Sequence, residues 1–505
     1  MRKGLIACLA VPVALATAAP ALAGPDAFNS TQLRKAVTLE GVREHQAALQ
    51  GIADFNGGTR ASGTPGYDAS VAYVKDRLED AGYAVTVQPF EFPFYRQNSA
   101  PEFERVSPSP RTYLTPDEFS SMTYSGSGNA TAPATAVDTT GATSGCEASD
   151  FAGFPAGNIA VIKRGTCHFK IKAINAQNAG ATGVVIFNNT TGPLNGTLGS
   201  PGQSIPVIGT LQSIGQELVA QLAAGPVILR LKTETESAIR TTYNVLADTK
   251  GGDPDRTVVV GAHLDSVILG PGINDNGSGS AAILEIAENF KQRGVPRNRV
   301  RFAWWGAEEL GLLGSTYYVN SLPQDELEQI ALNLNFDMVG SPNYVRFVYD
   351  GDNSAFPVGP GAATGPNGSG LIEAVFVRYF ENRGLESEPT PFSGRSDYGP
   401  FIAKGIPAGG LFTGAEGIKT PEQAAIYGGT AGAPYDPCYH QACDTFANNN
   451  DQGLDEMSDA AAHAVYTFAR TKEDFVNGGR LKPGRNGNPS VSNRRLTHRG
   501  PDARR

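Results

Sequence analysis

The stretch that decides the fold runs from Thr257 to Phe290, TVVVGAHLDSVILGPGINDNGSGSAAILEIAENF. It opens on a β-branched apolar run, Thr257 to Gly261, then turns polar and glycine-rich. From Ser278 to Gln292 it repeats apolar residues at helical spacing, with Ile283, Ile286, Ala287 and Phe290 on one face. The same alternation continues on both sides. Arg240–Leu246, Val300–Trp305, Ile330–Phe336 and Ile406–Phe412 read as strands, and Leu371–Asn382 and Met457–Arg470 as helices, the last with Met457, Ala461, Ala464 and Phe468 inward. Strands alternating with helices predict an α/β fold, a mainly parallel twisted sheet with helices on both faces. In such a sheet the ligand site lies outside the carboxyl ends of the strands.

Toward the amino end, residues 31–52 read as helical. Residues 67–81 form a second helix, with Val71, Val74, Leu78 and Ala81 on one face and Gly82 where it would stop; Ala84–Phe92 alternates as a strand. Residues 96–135 are rich in Ser, Thr, Pro and Gly without periodicity and read as a linker. A separate, smaller α+β unit follows, with strands at Ile159–Lys163, Gly183–Phe187 and Ile205–Gly209 and a helix at Phe169–Ala179. The expected division is a signal peptide at 1–23, an amino-terminal part of the main domain with linker at 24–120, an inserted unit at 121–238, the main domain at 239–475 and a basic tail at 476–505.

The signal reading rests on order: Arg2 and Lys3, the apolar stretch Leu5–Ala18, then Ala21-Leu22-Ala23 as a cleavage site. No later stretch reaches the roughly 18 uninterrupted apolar residues a membrane span needs, so the chain is expected to be exported and extracellular. Once Cys8 leaves with the signal, Cys146, Cys167, Cys438 and Cys443 remain. They allow three pairings, of which the neighbouring ones, Cys146–Cys167 and Cys438–Cys443, close short loops and suit an oxidising compartment. The 505 residues carry a net charge of −9. Residues 476–505 hold eight Lys/Arg against one Asp, and Arg2 and Lys3 add two more positive charges, so residues 24–475 carry −18. An acidic body argues against nucleic acid as partner and attracts cationic groups such as a free amine. The tail, nearly devoid of apolar residues, reads as disordered or removed by proteolysis.

Five segments place metal-ligand residue types after predicted strands or in nearby loops. They are Gly261-Ala-His263-Leu-Asp265-Ser, Asn274-Asp275-Asn276-Gly277-Ser278-Gly279, Trp305-Gly-Ala-Glu308-Glu309-Leu-Gly311, Asn335-Phe-Asp337-Met and Tyr439-His440-Gln-Ala-Cys443-Asp444. Each alone has an ordinary reading: a core histidine, a dipole-favoured Glu pair opening a helix, a turn. Together they supply two imidazoles and at least three carboxylates, ligands that zinc accepts. That is more than one ion needs, and it suits two ions sharing a bridging carboxylate.

This order of motifs resembles the secreted two-zinc aminopeptidase family that includes bacterial leucyl aminopeptidases and aminopeptidase Y, over about residues 30–475. The inserted unit resembles a protease-associated (PA) domain through Asn158-Ile-Ala-Val-Ile-Lys163-Arg-Gly-Thr-Cys167-His-Phe169, with Ala176–Gly180 and Val184–Asn188. The resemblance implies two Zn²⁺ per chain. His263 and Asp337 would hold one, Glu309 and His440 the other, and Asp275 would bridge them, with a cis peptide bond after Asp275. Asp265 would accept the second imidazole N–H of His263. Glu308 would be the general base, taking a proton from water and passing it to the leaving amine. Tyr439 would donate its O–H to the tetrahedral oxyanion.

The resemblance further implies that Phe412 and Gly394 line an apolar pocket for a first residue such as Leu, and that Arg395 contacts the peptide beyond the scissile bond. Cys438–Cys443 would brace the loop carrying Tyr439 and His440, and Cys146–Cys167 would staple the PA-like unit. His45, His168, His463 and His498 read as structural or exposed. The sequon Asn276-Gly-Ser278 falls inside the site and is expected to carry no glycan. Calcium activates some relatives, so the resemblance leaves a calcium ion open as well, although the sequence shows no EF-hand-like loop. The expected partners are peptides and proteins with free N-termini, with no nucleic acid and no membrane span, and the chain is expected to act as a monomer. A carboxypeptidase or glutaminyl cyclase of the same superfamily would need a basic pocket or a one-zinc site, and a non-catalytic relative would lack ligands. The complete ligand set argues against all three.

Overall fold

The computed structural model describes residues 29–471. The expected signal peptide and basic tail, with Cys8 and His498, lie outside these residues. The described residues form two eight-stranded sheets with helices packed against them. In the first, the strands lie side by side in the order Ala84–Gln97, Thr235–Asp248, Asn298–Trp305, Asp253–His263, Ile330–Phe336, Ala408–Phe412, Phe347–Tyr349 and Glu388–Thr390. The four central strands run parallel, as predicted, while Ala84–Gln97 and Thr235–Asp248 join antiparallel on one side and Phe347–Tyr349 on the other. Val258, Val259 and Val260 are fully buried, which explains their continuous apolar run: a central parallel strand is covered on both faces and has no solvent side to alternate with.

Helices Leu39–Phe55, Pro65–Asp80, Gly277–Phe290 and Asp451–Arg470 contribute to one large core with this sheet; Trp305, Tyr318 and Phe401 lie in a second, smaller cluster. The predicted helix at 31–52 is two helices, Thr31–Arg34 and Leu39–Phe55. Thr38 is extended there and its hydroxyl accepts the Gly41 N–H at 3.0 Å, so a capping residue restarts the helix. Among the described residues no helix is long and apolar enough to cross a membrane.

The second sheet corrects the linker reading of 96–135. That stretch contributes Glu102–Ser107, Arg111–Thr112, Phe119–Ser121 and, in part, Gly128–Val137, all paired into this sheet. Ile159–Lys163, Gly183–Phe187 and Val207–Thr210 are its buried parallel centre. The chain leaves the first sheet after Gln97 and returns at Thr235, and these two residues are paired across the ladder. One residue further the Asn98 N–H donates to the Glu234 carbonyl at 2.7 Å. Departure and return are thus neighbours, and the second unit hangs from the end of a long antiparallel ribbon.

Candidate metal centre

The parallel register aligns the carboxyl ends of the central strands: His263 pairs with Trp305, Gly261 with Asn335, and Asn335 with Gly410. Three of these ends release a predicted segment. His263 is the last residue of its strand, Glu308 and Glu309 follow Trp305 by a short turn, and Asp337 follows Phe336 directly. Asp275 stands two residues before the helix Gly277–Phe290, and the Asp275–Asn276 peptide is cis, as expected. His440 comes from the long loop before the last helix.

These side chains converge. His263 Nε2 lies 3.2 Å from Asp275 Oδ1 and 3.3 Å from Asp337 Oδ1; His440 Nε2 lies 3.2 Å from Asp275 Oδ2 and 3.0 Å from Glu309 Oε2. The two oxygens of Asp275 therefore face two different histidines, each completed by its own second carboxylate. Glu308 Oε2 stands 4.0 Å from His263 Nε2. Tetrahedral zinc with bonds of about 2.0–2.1 Å sets its ligand atoms about 3.3 Å apart, close to these spacings. Glu309 Oε1 is buried without a hydrogen-bond partner, an orphan that a cation would satisfy. The donor set and its spacing fit a pair of divalent ions.

The electrostatics agree. Burial opposes charge on the His263 ring, but Asp337, Glu308, Asp265 and Asp275 outweigh it and raise its pKa well above the ordinary value. His440 is likewise opposed by burial, yet Glu309 and Asp275 push it up to about 11. Burial, then Asp275, raises Glu309 to about 7. Glu308 is raised well above the carboxylate range by burial, and further by Asp397, Glu309 and Asp337. Asp275 goes the other way: burial opposes its charge, but the two histidines hold its carboxyl below the usual range. So much negative charge in a buried place calls for positive charge that two imidazoles alone supply poorly.

The Asp265 expectation needs correction. The nearest acceptor for His263 Nδ1 is the Asp265 backbone carbonyl, at 3.1 Å, while its carboxylate Oδ1 is 3.6 Å away, too far for a hydrogen bond. That Oδ1 accepts the Glu308 backbone N–H at 3.1 Å instead. Asp265 thus orients the histidine through its main chain and Glu308 through its side chain.

Tyr439 stacks on His440 with ring centroids 3.8 Å apart, and Arg395 donates to its hydroxyl at 3.0 Å while also pairing with Glu416. Burial, reinforced by Asp275, holds the Tyr439 phenol well above its usual pKa, so it stays protonated. Phe412 stacks on Phe347 and packs against the cluster of Tyr349, Phe392 and Tyr398. Gly394, at φ +81°, donates its N–H to the Tyr398 hydroxyl at 3.0 Å. Cys438–Cys443 and Cys146–Cys167 are both bonded.

Sequence reasoning gave no role to several residues that hold this geometry. The Ser396 hydroxyl donates to Asp337 Oδ2. Asp444 accepts the backbone N–H groups of Asn274 and Asp275 at 2.8 and 2.9 Å. The fully buried Arg60 donates to the carbonyls of Leu264, Pro271 and Gly272, fixing the loop between His263 and Asp275. Asp444 sat inside a quoted motif and Ser396 next to Arg395; Arg60 had no sequence signal.

A family model described as peptidase family M28 matches residues 244–465, and one described as PA domain matches residues 130–218. An aminopeptidase of Pseudomonas aeruginosa is 51% identical over 431 residues, 82% of this chain and 78% of that one. Leucine aminopeptidase 2 of Trichophyton rubrum is 47% identical over 335 residues, 66% of each chain. Among solved structures, an aminopeptidase from Aneurinibacillus sp. strain AM-1 is similar with a TM-score of 0.63 and 30% identity, covering 88% of this chain and 97% of that one. A zinc aminopeptidase from Bacillus subtilis gives 0.55 and 27%, covering 87% and 97%. The chain, with its ligand-type residues gathered at the ends of a parallel sheet, belongs to peptidase family M28 and carries a PA domain.

Proposed function

We propose that the protein is a secreted aminopeptidase that holds two zinc ions and removes apolar first residues such as Leu from peptides and proteins with free N-termini. The observation that carries this reading is the division of Asp275, whose two oxygens face His263 with Asp337 on one side and His440 with Glu309 on the other. The names of the relatives support the substrate class, and the two disulfides support an oxidising compartment.

His263 and Asp337 would hold one ion, Glu309 and His440 the other, with Asp275 shared. When bound, the ions supply Lewis acidity toward the scissile carbonyl and make water a nucleophile near neutral pH. The rest falls to the chain's own side chains. Glu308, held by the Asp265 carboxylate through its backbone N–H, takes the proton from water and delivers it to the leaving amine. Its proton affinity is high with no cation beside it, and positive charge at the centre brings it down into the working range. Tyr439, stacked on His440 and fixed by Arg395, donates its O–H to the carbonyl oxygen as charge develops there. Ser396 orients Asp337, beside which, with Glu308, the substrate's free α-amine would sit. The aromatic surface at Phe412 and Gly394 takes the first side chain, and Arg395 meets the peptide beyond the cleaved bond. We assign the inserted unit to residues 98–234, between the paired Gln97 and Thr235, in place of the division at 121–238.

The test is cleavage of leucine 4-nitroanilide beside its N-acetylated twin, with and without a chelator. The expected result is turnover of the free-amine compound alone, lost with chelator and restored by zinc. Cleavage of the acetylated twin, or no cleavage of either by zinc-loaded protein, overturns the reading.

A further inference from the structure

Far along the same helix that starts beside Asp275, a second group of ligand atoms meets. Glu285 and Glu288, one turn apart on Gly277–Phe290, face His45 of the helix Leu39–Phe55. His45 Nε2 lies 3.5 Å from Glu285 Oε2 and 3.9 Å from Glu288 Oε1. The histidine is 1% exposed and this nitrogen has no hydrogen-bond partner, so a fully buried polar atom points into the carboxylate pair unsatisfied. The opposite ring nitrogen, Nδ1, sits 2.7 Å from the Tyr73 hydroxyl. If Nδ1 carries the proton and donates it there, Nε2 presents its lone pair to the carboxylates, the arrangement of a metal-bound imidazole.

The remaining contacts leave Glu285 Oε2 open toward an ion, while Glu288 Oε1 would be shared between the ion and Arg77. Glu285 uses Oε1 for the Asn289 side chain and the Thr38 N–H, leaving Oε2 turned to His45. Glu288 receives Arg77 at 2.6 and 2.8 Å, and Arg77 also meets Glu44 at 3.4 Å. Glu285 and Glu288 against the Arg77 guanidinium leave a net −1 around the imidazole, a field that favours a cation. An imidazole nitrogen with carboxylate oxygens at these spacings selects a zinc-like ion over calcium or magnesium, which take oxygen ligands.

We infer that His45, Glu285 and Glu288 form a further zinc site, distinct from the centre at Asp275, that clamps the helix Leu39–Phe55 to the helix Gly277–Phe290. Sequence reasoning gave ligand contexts to His263 and His440 only, because His45 and Glu285 are 240 positions apart in the chain and share no motif. The ion would be structural: it would fix the helix whose amino end follows Asp275, without touching substrate.

The experiment counts zinc. Full-length protein is dialysed against micromolar zinc and then zinc-free buffer, and metal per chain is measured by plasma mass spectrometry for the wild type, His45→Gln and Glu285→Gln. Each variant is expected to hold one equivalent fewer than the wild type with turnover of leucine 4-nitroanilide changed by less than about twofold. Because the reading is a difference, it holds whatever number the centre at Asp275 retains, so failure of the two-zinc reading is seen separately. Equal zinc in the wild type and the variants overturns the site. Should a variant fail to fold, crystals of the dialysed wild type decide: anomalous scattering at the zinc edge between these three side chains supports the site, and its absence there overturns it.

Discussion

In the sheet built around Ile159–Lys163 and Gly183–Phe187, acidic side chains sit at the surface beside a cation. Arg230 meets Glu102 and Glu104 at 2.7 and 3.0 Å, Lys232 meets Glu102 at 3.1 Å, and Arg111 meets Glu118 and Glu217 at 2.6 and 3.0 Å. In the sheet built around Asp253–His263, Asp275, Glu308, Asp337 and Asp397 are buried at the strand ends with no Lys or Arg in an ion pair with any of them among the described contacts. The strand count is equal and the buried parallel centre is similar. Sheet architecture therefore does not distinguish a working surface from an accessory one; what does is whether its charges are neutralised from within. Exposed pairs are worth little and cost little. Buried carboxylates lacking a cation cost much, and persist where a bound ion completes them.

The hardest blow to this contrast is Asp275→Asn, which removes the oxygen charge shared by both halves of the centre. Activity is expected to fall on the order of 10⁴–10⁶-fold, the scale for losing one member of an interdependent set, together with bound zinc. Retention of both would mean that the shared carboxylate is not a ligand. Glu308→Gln sharpens the same contrast by sparing the ligands. It should lower kcat by about 10²–10⁴-fold while zinc content stays at the wild-type level, and zinc loss would move Glu308 into the ligand set.

A third expectation concerns pH. In metal-stripped protein Glu309 and Asp397 titrate near 7 and Asp444 near 8, all raised chiefly by burial, and His440 is raised to about 11 by its carboxylate neighbours against burial. Groups with raised folded pKa values bind more protons folded than unfolded, so their stabilisation is lost as pH rises. The melting temperature of the stripped protein should therefore drop from about pH 4 to pH 8 as the carboxylates ionise and on toward pH 11 as His440 loses its proton, and zinc should abolish most of that drop. A flat or rising profile in the stripped protein contradicts the electrostatic account. The smallest effect on catalysis is expected in the other sheet. Replacing Cys146 and Cys167 by Ala opens a loop with a sequence separation of 21, costing the second unit about 3 kcal/mol. Turnover of leucine 4-nitroanilide should change by less than about twofold, and a large loss would show that the accessory sheet shapes the centre.

Much of this was legible in the sequence for a definite reason. A buried central strand must be continuously apolar, and its carboxyl end must release the chain into a polar loop, so His263, Glu308, Glu309 and Asp337 announce themselves by position. Half-exposed antiparallel strands carry no such signal. Glu102–Ser107 buries Arg105 and exposes Val106, and Gly128–Val137 exposes Thr131 and Pro133 between small alanines, so neither shows an apolar-polar alternation, hence the linker reading. Contacts made through the main chain were likewise hidden. Nothing in the side-chain pattern says that the carbonyl of Asp265, rather than its carboxylate, meets His263, or that Arg60 holds the loop from some 200 positions away. The disulfides were legible because each closes a short loop.

The pairing of Gln97 with Thr235 makes the accessory unit a cassette plugged into a hairpin. To the ribbon that carries it, 137 residues and a tight turn are interchangeable. Excising 98–234 and closing the gap with Asn-Gly, the dipeptide that matches the twist of such a ribbon, should yield a compact single-module hydrolase. A different cargo should fit the same socket without disturbing the register of Ala84–Gln97 against Thr235–Asp248.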